Sequence, residues 1–536
     1  MADTTPTDLT PDPARPAAST VSHRRWRVAP GLALALGVMA AALVAELAAI
    51  LWLNRGVFVY SFDDAYVHLA LAERLAGGHY AINPGEPASP SSSIGWPLLL
   101  VPLARTVLGG WIPLLLNAAA AFALVAVIYR LVSLAFEGAG EGKRGWMVAA
   151  LMVGMNVPFL VFTGMEHTLH VLLTALVVLG MVMESRDGRV PPWLLAAVAA
   201  GVFVRYEGLA MAAAAAVYLA ARGHRGRAAL TAVASVLPVA AFTLFLHARG
   251  LPLLPASILS KGGSLAAHPG PEGIARLAWA NFGTVAGRTL WVALLLLAIA
   301  ALGRRARPDR LLAAALGGAL AMALALVPFI GYGRYEAFAW CIAALGALYA
   351  WRAPLGRVVN AVGTVRVALV SAALVAVLVP RFVATALVTP RASNNIYLQH
   401  VQMHRFATRW WRGPVAVNDL GRVAWRNPYY VLDLWGLGSP AALQARQRGG
   451  DPAWMDRLAH RHDARLAMLY PHWFRAVPPG WTHVATLHFD GPRRTPDGRD
   501  VAIYAVDAPS SARARRLLPA FARTLPPGAR IVWPSD

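Results

Sequence analysis

Charge is what this chain of 536 residues has least of. Only 14% of its residues are Asp, Glu, Lys or Arg, where soluble globular chains average about 25%. With 57% hydrophobic residues, a mean hydropathy of +0.50 and apolar runs of about 20 residues, the scarcity excludes an ordinary soluble protein. It points to a polytopic membrane protein. Cysteine is nearly absent: Cys341 stands alone, which excludes an internal disulfide framework and any multi-cysteine metal site. Acidic residues are fewer than basic ones, 27 against 49, for a formal net charge of +22. In a soluble chain that excess would suggest nucleic-acid binding. Here most basic residues fall in short loops between apolar runs, and the rest are spread over the C-terminal region without a dense run. Membrane topology accounts for them, and no nucleic-acid partner is expected. The first apolar run, Gly31–Asn54, is expected to be a span and not a cleavable signal, since it is too long and has no clear small-x-small site.

What is present is organised by the membrane. Residues 1–30 read as a disordered cytosolic tail, rich in Pro, Thr and Arg. Arg24, Arg25 and Arg27 place it inside. Candidate spans follow at 31–54, 111–135, 146–164, 167–183, 190–206, 208–222, 228–248, 286–303, 311–330, 337–351 and 366–388. With about eleven crossings every second loop is basic, as the positive-inside rule requires. The apolar stretch 91–110 is interrupted by Pro97 and Pro102, and counting it as a crossing would invert every later basic loop. It reads as a surface or re-entrant segment of the first outer loop, 55–110. The run Trp193–Arg222 is broken by "RYEG", with Arg205 and Glu207 at an outer turn. From 389 to 536 the composition is that of an extracytoplasmic soluble α/β domain. Strands are expected at "PVAVND", "YYVLDLWGL", "RLAMLY", "HVATLHF" and "VAIYAV", with helices near 396–412 and 452–463.

The outer turns collect charge that simple anchoring does not require: Asp63, Asp64, Glu73, Arg74, His79, Glu166, His167, Arg205, Glu207, Lys261, Arg334 and Glu336. Several turns pair an acid with a base, so they are expected to converge on one polar pocket. Asp63 and Asp64 are adjacent and cannot point alike, being about 100° apart on a helix. One is expected to face the pocket as a general base, with the other orienting it, helping to hold a divalent cation, or capping the next helix. Asp63 is preferred as the base and Asp64 as the cap. The single cysteine and the lack of a His-rich cluster argue only against zinc. No cofactor is demanded by any motif, and a divalent cation is left open. Because the charged turns all precede residue 340, the C-terminal domain is expected to govern acceptor choice and not the chemistry.

"DDAYVHLALAERLAGGHYAINPGEPASPSSSIGWPLLL" resembles the first extracytoplasmic loop of type-C glycosyltransferases. The nearest pattern is the branch with mycobacterial terminal arabinofuranosyltransferases. The resemblance continues in order at "TGMEHTLHVLL", "VRYEGLAM", "LPASILSKGG", "GRYEAF" and "VAVNDLGRVAWRNPYYVLDLWGLGSP", and so covers most of the chain. Tyr206 and Ala256 depart from the Pro and Asn of that pattern, and His167 and the His79–Tyr80 step are individual. These differences concern the sugar, not the reaction class.

The resemblance implies a multi-pass protein of the bacterial plasma membrane whose active site faces outward. Its donor would be a polyprenyl-phosphate sugar, carrying a pentofuranose such as arabinofuranose or a mannose-like hexose. Its acceptor would be a cell-envelope glycan, lipid or protein. Asp63 or Asp64 would take the acceptor proton, and Lys261, Arg334 and Arg205 would hold the donor phosphate. Glu166, His167, Glu207, Glu336 and His79 would support them. The rival classes are a transporter or flippase of lipid-linked sugars and a membrane-anchored binding protein. Transporters place polar groups near mid-membrane, often in repeated halves. Here charge gathers at one edge and no repeat is visible.

Overall fold

The structure is a computed structural model and describes residues 28–261, 270–329, 331–378, 380–449 and 451–534. The expected tail, 1–30, lies almost wholly outside the described residues. The chain is a multi-pass helical membrane protein with a C-terminal sheet domain. The first nine helices are α1 (Pro30–Leu53), α2 (Asp64–Leu75), α3 (Gly95–Leu100), α4 (Ile112–Ala135), α5 (Glu141–Gly154), α6 (Val157–Phe162), α7 (His167–Asp187), α8 (Trp193–Val204) and α9 (Gly208–Ala221).

Every candidate span is helical over most of its length. Among the described residues six helices are long and apolar enough to cross a membrane, or seven if the bent pair Ala337–Ala350 and Arg352–Ala361 counts as one. The expected figure of about eleven is therefore reached by helical stretches and not by full-length spans. Polar breaks cause the difference. Asn156, in the left-handed region at φ 61°, separates α5 from α6, and Arg205–Glu207 separates α8 from α9. The stretch 91–110 forms only short helical turns and does not span, as its prolines require.

In the C-terminal domain all five expected strands form. They are β3 (Val415–Val417), β4 (Val431–Asp433), β5 (Leu466–Leu469), β6 (Thr482–Phe489) and β7 (Asp500–Ala505). A sixth, β8 (Ala529–Val532), closes a sheet of order β4-β3-β5-β7-β6-β8. β3 lies between two parallel neighbours, β4 and β5. The first loop contributes its own small hairpin, β1 (Ala81–Asn83) with β2 (Glu86–Pro87). No break occurs at residue 389, because the helix Pro380–Leu398 runs across it.

Polar ties fasten the first loop to both bodies. Asn54, at the end of α1, donates to Ser393 Oγ at 2.8 Å, and Ser393 donates to the Val59 carbonyl at 2.6 Å. Asn83 makes a two-way bond with the backbone of Val431 in β4, at 2.9 and 3.0 Å. Ser61 donates through both its amide and its hydroxyl to the Phe162 carbonyl that ends α6, each at 3.0 Å. The start of α2 is thus held where the helical bundle meets the sheet domain.

Candidate functional site

Asp63 and Asp64 point apart, as adjacent helical residues must. α2 opens at Asp64 with Asp63 at the N-cap position, and Asp63 makes no capping bond through its side chain. The cap expected of Asp64 is therefore not made: Asp64 is the first helical residue, and its carboxylate is drawn sideways to Arg334, Nη2 to Oδ2 2.8 Å. Asp64 keeps 25% of its side chain exposed, whereas Asp63 is 6% exposed.

Asp63 faces the C-terminal domain. Its Oδ1 accepts the Arg422 backbone amide at 2.8 Å. Gly421 allows that approach, since a Cβ there would stand 2.1 Å from the Asp63 carbonyl oxygen. His400, fully buried, bonds Asp419 Oδ2 through Nε2 at 2.8 Å. Asp63, His400 and Asp419 each bring one ligand-type atom within 4.8 Å of the other two. Burial pushes the Asp63 carboxyl up to about 7, against the pull of His400, and Asp419 adds to the rise. Burial opposes a charge on His400, but Asp63 and Asp419 outweigh it and its pKa is raised. The C-terminal domain, expected only to govern acceptor choice, also contacts the motif. His400, Asp419 and the Arg422 amide reach the motif acid from the C-terminal side.

The second cluster lies around Arg334 and Arg205. Arg334 follows Gly331, Tyr332 and Gly333, all three at positive φ, in a turn that leaves glycine the favoured residue at two positions. Its guanidinium rests over Phe62, 4.2 Å from the ring centre, and contacts Met165 Sδ at 3.0 Å. Arg205 is bracketed by two acids. It donates to Glu207 at 2.6 and 3.0 Å and to Glu166, and all three belong to the polar breaks that open α7 and α9. Glu166 also lies 3.6 Å from His68 Nε2, and His68 meets Ser91 Oγ at 3.2 Å. His167 is buried edge-on to Tyr335. Glu336 is buried at the start of the helix Ala337–Ala350.

One expected member stands apart, and the side chain of another is not described. His79 is exposed, and its ring Nδ1 meets the nearby Gly77 carbonyl at 2.7 Å. Lys261 ends the helix Ala256–Lys261, which is tied to the first loop by the Ala256 amide on Ser89. Its side chain lies outside the described residues. His68, His400, Asp419 and Arg422 were missed by sequence reasoning. His68 had a signal, one turn after Asp64 on the same face of α2. Asp419 had one as well, just past the carboxyl end of a strand with parallel neighbours, where α/β sheets place ligand groups.

Residues 394–504 match a family model described as a domain of unknown function, DUF8728. No curated protein matches the chain. Among solved structures, the oligosaccharyltransferase of Archaeoglobus fulgidus in complex with Zn and sulfate is similar at a TM-score of 0.53 and 11% identity. The match covers 94% of this chain and 74% of that one. At that identity the likeness shows a shared fold and nothing beyond it. ArnT from Cupriavidus metallidurans, bound to undecaprenyl phosphate, matches at 0.49 and 12% identity over 89% of this chain and 98% of that one. The mycobacterial arabinofuranosyltransferase AftD matches at 0.43 and 17% identity, over 88% of this chain and 41% of that one. At those scores the last two carry no argument.

Proposed function

We propose that this chain is a glycosyltransferase of the bacterial plasma membrane, taking a sugar from a polyprenyl-phosphate donor to an extracytoplasmic acceptor. The observation that carries the reading is the Asp64–Arg334 pair, partly exposed at the edge of a buried ion cluster where the bundle meets the sheet domain. A lipid phosphate can reach that depth with its tail in the bilayer. The acceptor oxygen attacks the anomeric carbon, the bond from that carbon to the phosphate oxygen breaks, and polyprenyl phosphate leaves. Attack opposite the leaving group inverts the anomeric centre. The acceptor proton passes to Asp64, because a base must reach the hydroxyl and Asp63 is turned into the protein. This reverses the preference drawn from sequence. Arg334 meets the charge that grows on the leaving phosphate, and Lys261 is assigned the same task. Arg205, held by Glu166 and Glu207, positions the turn behind them. A pentofuranose such as arabinofuranose is the favoured sugar, a mannose-like hexose the alternative, and a cell-envelope glycan, lipid or protein the acceptor.

The test is transfer from synthetic polyprenyl-phosphate arabinofuranose and mannose in nanodiscs. Asp64→Asn, which keeps the side-chain shape, is expected to lower turnover about 10²–10⁴-fold. Full turnover in that variant removes Asp64 as the base. No transfer from either donor, together with no polyprenyl phosphate found by mass spectrometry in the purified protein, overturns the reading.

A further inference from the structure

We infer that Asp63, His400 and Asp419 form a binding site for a single divalent first-row cation, Mn²⁺ in type, at the seam between the helical bundle and the sheet domain. The donor set is one imidazole and two carboxylates, brought from the N-cap of α2, the helix His400–Arg405 and the turn after β3. One ligand-type atom from each lies within 4.8 Å of the others. His400 Nε2 and Asp419 Oδ2 are 2.8 Å apart. Two ligands at right angles on bonds of about 2.1 Å stand about 3 Å apart, so this pair already has the spacing of neighbours on one ion.

Two further facts point to a ligand. Asp63 Oδ2 is buried and has no hydrogen-bond partner. Asp63 is 6% exposed, and a polar atom left so costs free energy unless something meets it. Charge balance agrees. Metal ligation takes the imidazole neutral, and the two carboxylates then carry two negative charges, which a divalent cation offsets. Mixed nitrogen and carboxylate donors suit Mn²⁺ better than Ca²⁺ or Cu⁺. The Arg422 amide on Asp63 Oδ1 acts as the outer support that fixes a ligand's orientation. Asp419 keeps 23% of its side chain exposed, which leaves the site an approach for water or a substrate oxygen. The cation would join α2, which carries Asp64, to the sheet domain.

The site stands on its own ligands, so its test is binding and not turnover. Tag-free full-length protein in nanodiscs is stripped with chelator, dialysed and titrated with Mn²⁺, and free Mn²⁺ is read by its paramagnetic resonance signal. Wild type is expected to bind one equivalent saturably and to unfold at higher temperature with Mn²⁺ than without. Asp419→Asn and His400→Gln should each lose more than the roughly 10–100-fold in affinity that an outer partner is worth, and the Mn²⁺-dependent rise in unfolding temperature with it. Asp419→Asn is the variant to rely on should His400→Gln fail to fold, because its side chain reaches the surface. No saturable binding by wild type, or equal binding by wild type and Asp419→Asn, overturns the site. Either result leaves glycosyl transfer to be judged by its own donor assay.

Discussion

Gly421→Ala tests the junction without touching a reactive group. A Cβ at this position would lie 2.1 Å from the Asp63 carbonyl oxygen and 2.6 Å from its Oδ2. Ordinary contact begins near 3.4 Å, so the turn 421–424 and the start of α2 must part by roughly 1 Å. The Arg422 amide bond to Asp63, 2.8 Å long, does not survive that separation. Losing a buried bond to a carboxylate costs about 1.5–3 kcal/mol, and forcing a methyl into a filled site costs about 1–3 kcal/mol. The two effects overlap because the parting relieves the clash, so about 3 kcal/mol is expected. Displacement of about 1 Å at a reacting group also lowers turnover about 10²-fold. The assays are thermal unfolding in nanodiscs and transfer from the polyprenyl-phosphate donor. Gly226→Ala, where a Cβ meets nothing within 4 Å, is the control. If Gly421→Ala unfolds and turns over like wild type, the sheet domain does not position Asp63 and α2.

Arg334→Gln is expected to weaken donor binding and to lower turnover further, since the leaving phosphate gains charge in the transition state. Arg334→Lys should recover only part of it, because the lysine cannot keep both Asp64 and the phosphate. Donor affinity and rate measured for each variant check this, and unchanged values for Arg334→Gln remove it from the site. Glu166→Gln leaves Arg205 with Glu207 alone in a site where Glu166 is fully buried. Breaking such a pair costs about 3–5 kcal/mol, which should show as a lowered unfolding temperature. A variant as stable as wild type would mean that water reaches Arg205.

The membrane plan was legible because it depends on local pattern. Apolar length and basic loops located the helical stretches, and the "RYEG" break between α8 and α9 falls where Arg205 and Glu207 required an outer turn. Span length was not legible, because a single left-handed residue such as Asn156 ends a helix that hydropathy alone continues. Five strands were read from alternation, while β8 was missed at four residues of "ARIV". The helix Ala508–Ala522 was also missed, its apolar period masked by Arg and by Pro519. Its capping box, Asp507 with Ser510, was the available signal.

The site divided in the same way. Residues that converge through turns of neighbouring helices, Glu166, Arg205, Glu207 and Arg334, carry charge in an apolar setting and announce themselves. His400 and Asp419 lie in a region of ordinary polarity, where a histidine or an aspartate is unremarked, and only the fold brings them to Asp63 from more than 300 positions away in sequence. The contrast between the two motif acids has the same origin. On sequence only a preference for Asp64 as the cap separated the two acids, and the sheet domain separates them further: it buries Asp63 against His400 and Asp419 and leaves Asp64, held by Arg334, partly exposed. On the proposed reaction, a domain expected only to choose the acceptor thus also sets which carboxylate a substrate hydroxyl can reach.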